Sequence, residues 1–140
     1  MCGIAGFVSY DGRVNCDSVA GFLRTSLAHR GPDGCGQLNR LNAVICHTRL
    51  SIIDPEGGHQ PMSTDDDQLH LTYNGEIYNY RQLRLELQRL GCQFRTNSDT
   101  EVVLYAYQQW GRHCVDRFEG MFAFALLDLR RREILLARDH

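Results

Sequence analysis

The sequence predicts a single layered α+β domain. Strand-like stretches sit near both ends of the chain, and stretches of helical spacing dominate its middle. The 140 residues suffice for one domain with its own core. Composition is that of an ordinary globular chain, 43% hydrophobic and 23% charged.

Gly3–Ser9 reads as a strand, with Ile4 and Val8 apolar and two glycines that let another backbone approach. Tyr10-Asp11-Gly12 is a turn. Asn15 or Asp17 can cap a helix running to about Ala28, with Val19, Phe22, Leu23 and Leu27 along one face. The stretch 29–36 is expected to be a glycine-rich loop. Ala43–Leu50 reads as a strand, followed by a loop containing Pro55, Gly57, Gly58 and Pro61. Leu69–Tyr73 reads as a strand ending at Asn74-Gly75. Arg81–Leu90 is a short helix with Leu83, Leu87 and Leu90 on one stripe and Gly91 as its stop. Ser98 and Glu101 have the spacing of a capping box. They open a helix carrying Val102, Val103, Ala106, Tyr107 and Trp110, closed by Gly111. Met121–Leu129 and Glu133–Asp139 read as a hairpin across an arginine-rich turn.

Several function classes are disfavoured. The net charge of −2 offers no attraction to nucleic acid or to an anionic membrane. No apolar run approaches the ~18 residues of a membrane span. The N-terminus lacks the basic start and apolar stretch of a signal peptide. A cytoplasmic location is therefore expected, with no nucleic-acid or membrane partner. The six cysteines are expected to be reduced thiols, and neither they nor the six histidines show zinc-site spacing. The chain has no lysine, so it offers neither a Walker A lysine nor a Schiff-base lysine.

Cys2 carries the strongest chemical signal. A small second residue permits removal of Met1, which leaves a thiol and a free α-amine on one residue. An α-amine titrates near ~7.7–8.0 and a thiol near ~8.5. The amine can then take the thiol's proton, which makes an N-terminal nucleophile.

Five strings widen that signal: Met1-Cys2-Gly3-Ile4-Ala5-Gly6, His29-Arg30-Gly31-Pro32-Asp33, His47-Thr48-Arg49-Leu50-Ser51-Ile52-Ile53-Asp54, Asn74-Gly75-Glu76-Ile77-Tyr78-Asn79 and Ser98-Asp99-Thr100-Glu101. Gly120-Met121-Phe122-Ala123-Phe124-Ala125 and Ala137-Arg138-Asp139-His140 continue them to the end. In this order they resemble the class II glutamine amidotransferase domain of the glutamine-hydrolysing asparagine synthetase family. The resemblance implies an N-terminal nucleophile hydrolase fold, a four-layer αββα sandwich of two antiparallel sheets. It implies that Cys2 attacks the side-chain amide of glutamine, releasing ammonia and then glutamate by way of a thioester.

The resemblance also assigns roles. Asn74 and Gly75 correspond to the oxyanion hole, because an amide NH2 and a backbone N–H can both face the tetrahedral oxygen. As an isolated dipeptide, Asn-Gly would read as a hairpin turn. Arg49 corresponds to the clamp on the substrate carboxylate, which a planar guanidinium can bind through two hydrogen bonds. Leu50, Ile52 and Ile53 lie in the loop whose backbone groups hold glutamine. Glu76 and Asp99 correspond to acids that receive the α-ammonium, and Asp99 also suits the positive end of a helix. Glu76 and Leu50 favour the asparagine synthetase branch over the sugar-phosphate amidotransferases. The Arg30–Asp33 loop is expected to support the pocket. No metal site or cofactor is expected in this domain.

Length is the main departure. Residues 1–140 are expected to be the N-terminal part of the type 2 domain, truncated at the C-terminus. The family continues into a synthetase domain that uses ATP and magnesium to activate a carboxylate, and it usually forms homodimers. The same glutaminase step serving another acceptor, and a non-catalytic glutamine-binding or assembly module, are the alternatives.

Overall fold

The computed structural model describes residues 2–50, 54 and 56–140. Its elements run β1 (Gly3–Val8), α1 (Cys16–Leu27), β2 (Gly34–Arg40), β3 (Ala43–Arg49), β4 (Met62–Ser63), β5 (Leu69–Ile77), α2 (Tyr80–Arg89), α3 (Asp99–Trp110), β6 (Gly120–Asp128) and β7 (Glu133–Arg138). Short 3-10 turns follow α1 at Ala28–Arg30 and α3 at Gly111–Arg117.

The strands form two antiparallel sheets, one ordered β1-β3-β2 and the other β4-β5-β6-β7. Helix α1 packs on β1 and β3, while α3 packs on β5 and carries α2 on its flank. Contacts of β5 with β1 and β3 bring the sheets face to face. The architecture is the αββα sandwich expected of an N-terminal nucleophile fold.

Strand β3 shows how the layers are set. Successive side chains of a strand point to opposite faces. Cys46 and Thr48 reach α1, with the Cys46 thiol directed at the Ala20 carbonyl and the Thr48 hydroxyl donating to Leu27 O. His47 points the other way and donates from Nε2 to Tyr73 O on β5 at 3.2 Å. The whole of β3 is buried, as a central strand between a helix and a second sheet must be.

Some local expectations change. On α1 the inward stripe is Cys16, Ala20, Leu23 and Leu27, whereas Phe22 is 71% exposed. The spacing is helical either way, and only the sheet decides which stripe faces it. Leu83 and Leu87 are buried on α2 but Leu90 is exposed. Helix α3 is buried almost all round, because β5 covers one side and α2 with its neighbours the other. Its cap is only half of the expected box. Ser98 accepts from Thr100 N, but Glu101 turns to accept from Arg95 N, Thr96 N and the Thr96 hydroxyl. That buried carboxylate thus anchors the approach to the helix. Strand β2, within and beyond the expected loop 29–36, is polar and glycine-rich, so its sequence shows little strand alternation. No helix among the described residues is long and apolar enough to cross a membrane.

The inter-sheet layer holds two buried histidines with a shared consequence. Burial pushes His47 from its ordinary value of 6.5 down to about 4, and burial also lowers His70. Well above pH 6.5 neither state of the chain takes a proton at these rings. As pH falls below that value, the unfolded chain takes protons that the folded chain refuses, so stability falls. Each ring contributes up to about 1.4 kcal/mol per pH unit while that difference lasts. Urea midpoints should drop from pH 6.5 towards 4, with a shallower slope in His47→Gln, and an unchanged slope would exclude His47 as a source.

Candidate active site

Cys2 immediately precedes β1, whose first residue, Gly3, pairs with Thr48 of β3. This register places Cys2 beside the end of β3. The Cys2 sulfur accepts from Leu50 N at 3.3 Å and lies 3.5 Å from Leu50 O. The Cys2 carbonyl accepts from both Nε and Nη2 of Arg30, each at 3.3 Å. Both the sulfur and the backbone of this residue are therefore held by named groups. All six cysteines are free thiols.

The Arg30–Asp33 loop acquires a structural explanation. A Cβ at Gly31 would collide with the Thr48–Arg49 peptide, so only glycine lets the loop lie there. Pro32 forms a bridge to Arg49, and Asp33 N donates to Arg49 O at 3.0 Å. The loop is docked along the end of β3, with its arginine on Cys2.

Asn74 and Gly75 do not form a turn. Strand β5 continues through them to Ile77, pairing Asn74 with Ala123 and Gly75 with Phe122. Gly75 has φ +151°, and a Cβ there would collide with the Met121 carbonyl. The second sheet thus keeps this dipeptide extended and presents it to a cavity. The pairing partner β6 lies more than forty residues downstream, outside any local reading.

Arg49 is 7% exposed, and its Nη2 donates to Asp54 O at 2.6 Å. Gly58 packs where a larger residue would strike the guanidinium. The Asp54 carboxylate accepts from Gly57 N at 3.0 Å and Asn97 N at 2.8 Å. Those backbone donors hold it below the usual carboxylate range. Asp54 so ties the loop beside Arg49 to the approach of α3. Asp54 stands in the Arg-Leu-Ser-Ile-Ile-Asp string, but nothing in that string marks its contact with Asn97.

Asp99 opens α3 and is 3% exposed. Its Oδ2 accepts from the Tyr73 hydroxyl at 2.7 Å and from Ile77 N at 3.2 Å. Burial raises its pKa, against the pull of these donors. A cation brought beside this carboxylate would offset the cost of burying its charge.

Cys2, Arg49, Leu50, Asn74, Gly75, Glu76 and Asp99 all line one cavity of about 180 Å³. Glu76 and Met121 are exposed at its walls. Ile52 and Ile53 lie outside the described residues. The cavity also uses Gly58, Gln60 and Tyr73, which lie outside the quoted strings, and Ser98, Thr100 and Met121, which lie within them without an assigned site role. Gln60 accepts from Tyr73 N at 2.6 Å and donates to the Thr100 hydroxyl at 3.3 Å. The volume is below the ~300–1,000 Å³ of drug-sized pockets and suits a small metabolite. A cationic side chain and two acids on the walls of one small cavity can recognise a zwitterion. Among the described residues, no three or more His, Cys, Asp or Glu side chains converge as a metal site.

The model of the glutamine amidotransferase domain matches residues 1–140, the whole chain. The chain belongs to the glutamine amidotransferase domain family. This amidotransferase domain is 40% identical over 142 aligned residues to asparagine synthetase [glutamine-hydrolyzing] 3 of Bacillus subtilis, covering 99% of the chain and 23% of that relative. It is 44% identical over 117 residues to a probable glutamine-hydrolysing asparagine synthetase of Schizosaccharomyces pombe, covering 84% of the chain and 21% of the relative. The domain thus spans less than a quarter of the length of these curated relatives. Among solved structures it resembles glutamine phosphoribosylpyrophosphate amidotransferase of B. subtilis, with TM-score 0.57 and 26% identity over 70% of this chain and 23% of that one. A structure described as the allosteric regulatory enzyme of purine biosynthesis superposes with TM-score 0.57 over 97% of this chain and 31% of that one, and at 24% identity it speaks to the fold.

Proposed function

We propose that this domain hydrolyses L-glutamine at Cys2 and that the ammonia serves a synthetase domain on the same chain, which amidates aspartate with ATP and magnesium. The observation that carries the glutaminase reading is the convergence of Cys2, Asn74-Gly75, Arg49 and Asp99 on one small cavity. The synthetase reading rests on the named relatives, whose remaining length leaves room for that second reaction.

Removal of Met1 exposes the Cys2 α-amine. That amine takes the thiol proton as sulfur attacks the glutamine side-chain carbonyl. The Asn74 amide and Gly75 N–H stabilise the tetrahedral oxyanion. The C–N bond breaks, the amine returns its proton to the leaving nitrogen, and ammonia departs from a thioester. Water then attacks the thioester, giving its proton to the same amine, and glutamate leaves as the thiol reforms. Arg49 binds the substrate carboxylate, while Asp99 and Glu76 receive its α-ammonium. By the family resemblance, backbone groups of Leu50, Ile52 and Ile53 help to hold glutamine. A reducing cytoplasm suits a reaction that needs a free thiol, and the family resemblance favours a homodimer.

The test is product analysis of the full-length chain with glutamine, ATP, magnesium and aspartate. Glutamate and asparagine should form together, in near-equal amounts. Glutamate without asparagine would overturn the acceptor while leaving the glutaminase. Failure to hydrolyse glutamine after confirmed loss of Met1 would overturn the glutaminase reading itself.

A further inference from the structure

One cavity residue has no part in the steps above, yet its polar groups reach β3, the loop before β4 and α3. Tyr73 precedes Asn74 on β5, lines the cavity and is 2% exposed. Its carbonyl accepts from His47 of β3, and its N–H donates to the Gln60 side chain. Its hydroxyl donates to Asp99 of α3. A strand, a loop and a helix therefore engage its three polar groups.

This arrangement fixes the hydroxyl from the framework side. The main chain of Tyr73 is held by the sheet ladder and by His47 and Gln60, so the ring leaves β5 from a set point. Asp99 begins a helix, where backbone N–H groups already hold its carboxylate, and the Tyr73 hydroxyl adds a donor from β5. The Tyr73 hydroxyl and Ile77 N–H both donate to Oδ2, and both belong to β5. A carboxylate offers about four acceptor positions across its two oxygens. These two donors act with the backbone N–H groups of Asp99 and Thr100 to orient the carboxylate. Gln60 reinforces the link by joining the same Tyr73 backbone to Thr100, the next residue of α3.

We propose that Tyr73 is a positioning residue for amino-acid recognition. Its hydroxyl sets the Asp99 carboxylate relative to Arg49, so that the cavity selects a ligand bearing both an α-carboxylate and an α-ammonium. This rests on the glutaminase reading and adds a determinant of its specificity. Tyr73 touches no reacting atom in this scheme. Its effect reaches substrate through Asp99 alone.

The experiment compares two amides in the full-length chain: L-glutamine, and 4-carbamoylbutanoate, which is glutamine without the α-amino group. Tyr73→Phe removes only the hydroxyl. With L-glutamine, kcat/KM should fall about tenfold, chiefly through KM, as expected for one hydrogen bond to a charged group. With 4-carbamoylbutanoate it should change by less than about twofold, since no ammonium is present to be placed. Equal losses on the two amides would overturn the proposal, as would no loss on glutamine, because a merely structural hydroxyl affects both alike. Should Tyr73→Phe fail to fold, Asp99→Asn alone is compared with Asp99→Asn plus Tyr73→Phe, where no buried carboxylate lacks its donor. The added substitution should leave glutamine kcat/KM within about twofold, and a larger loss would overturn the proposal. A wild-type chain that does not hydrolyse glutamine sinks the function on which this rests; an active wild type with equal losses sinks this inference alone.

Discussion

Cys2→Ala should abolish glutamine hydrolysis while leaving the fold intact. The sulfur is the only group of the residue that can form the thioester, and alanine offers nothing in its place. A loss on the order of 10⁴-fold or more is expected, as for removal of a covalent nucleophile. The structural cost is small. The substitution forfeits the sulfur contacts with Leu50 but keeps the Cys2 carbonyl that Arg30 holds. A lost neutral hydrogen bond costs about 0.5–1.5 kcal/mol, and a contact to sulfur falls at the low end. Intact mass after incubation with a diazo-ketone glutamine analogue reads the chemistry directly. The wild-type chain should lose one methionine and gain one adduct, whereas Cys2→Ala should lose methionine and gain none. An adduct that persists in Cys2→Ala would place the reactive group elsewhere.

Asn74→Ala should lower kcat by about 10²–10³-fold with little change in KM, the result expected if Asn74 is an oxyanion donor as proposed. The substitution suits its place, because alanine is tolerated in an extended strand paired with β6. The neighbouring Gly75 lacks that freedom, since its φ and the nearby Met121 carbonyl both require glycine. A change confined to KM would instead make Asn74 a substrate contact. The two outcomes separate cleanly in steady-state kinetics with the full-length chain.

The chemistry-bearing residues were legible because they occur in short strings. Cys2, Arg49, Leu50, Asn74, Gly75, Glu76 and Asp99 each stand in such a string, and all of them reach one cavity. Ile52 and Ile53 share the Arg49 string but lie outside the described residues. The brace formed by Asp54 was not legible. It depends on a backbone N–H at Asn97, 43 residues away. Likewise, nothing local marks Tyr73 as the partner of Asp99 rather than another apolar residue of a strand. Strand β2 escaped notice because its residues are polar and glycine-rich, and its pairing with β3 alone makes it a strand.

By itself, the sequence determined the order of helices and strands apart from β2 and β4, the family and the identity of the candidate reactive groups. Those depend on periodicity and on residue types at fixed local spacing. Tertiary structure alone decided that Asn74-Gly75 is extended strand, that the inward face of α1 excludes Phe22, and that Asp99 is buried beneath Tyr73. Each depends on which segments pack together across dozens of residues. Local propensity leaves a turn and a strand, or two stripes of one helix, close in free energy, and the burial and pairing supplied by a distant partner select between them.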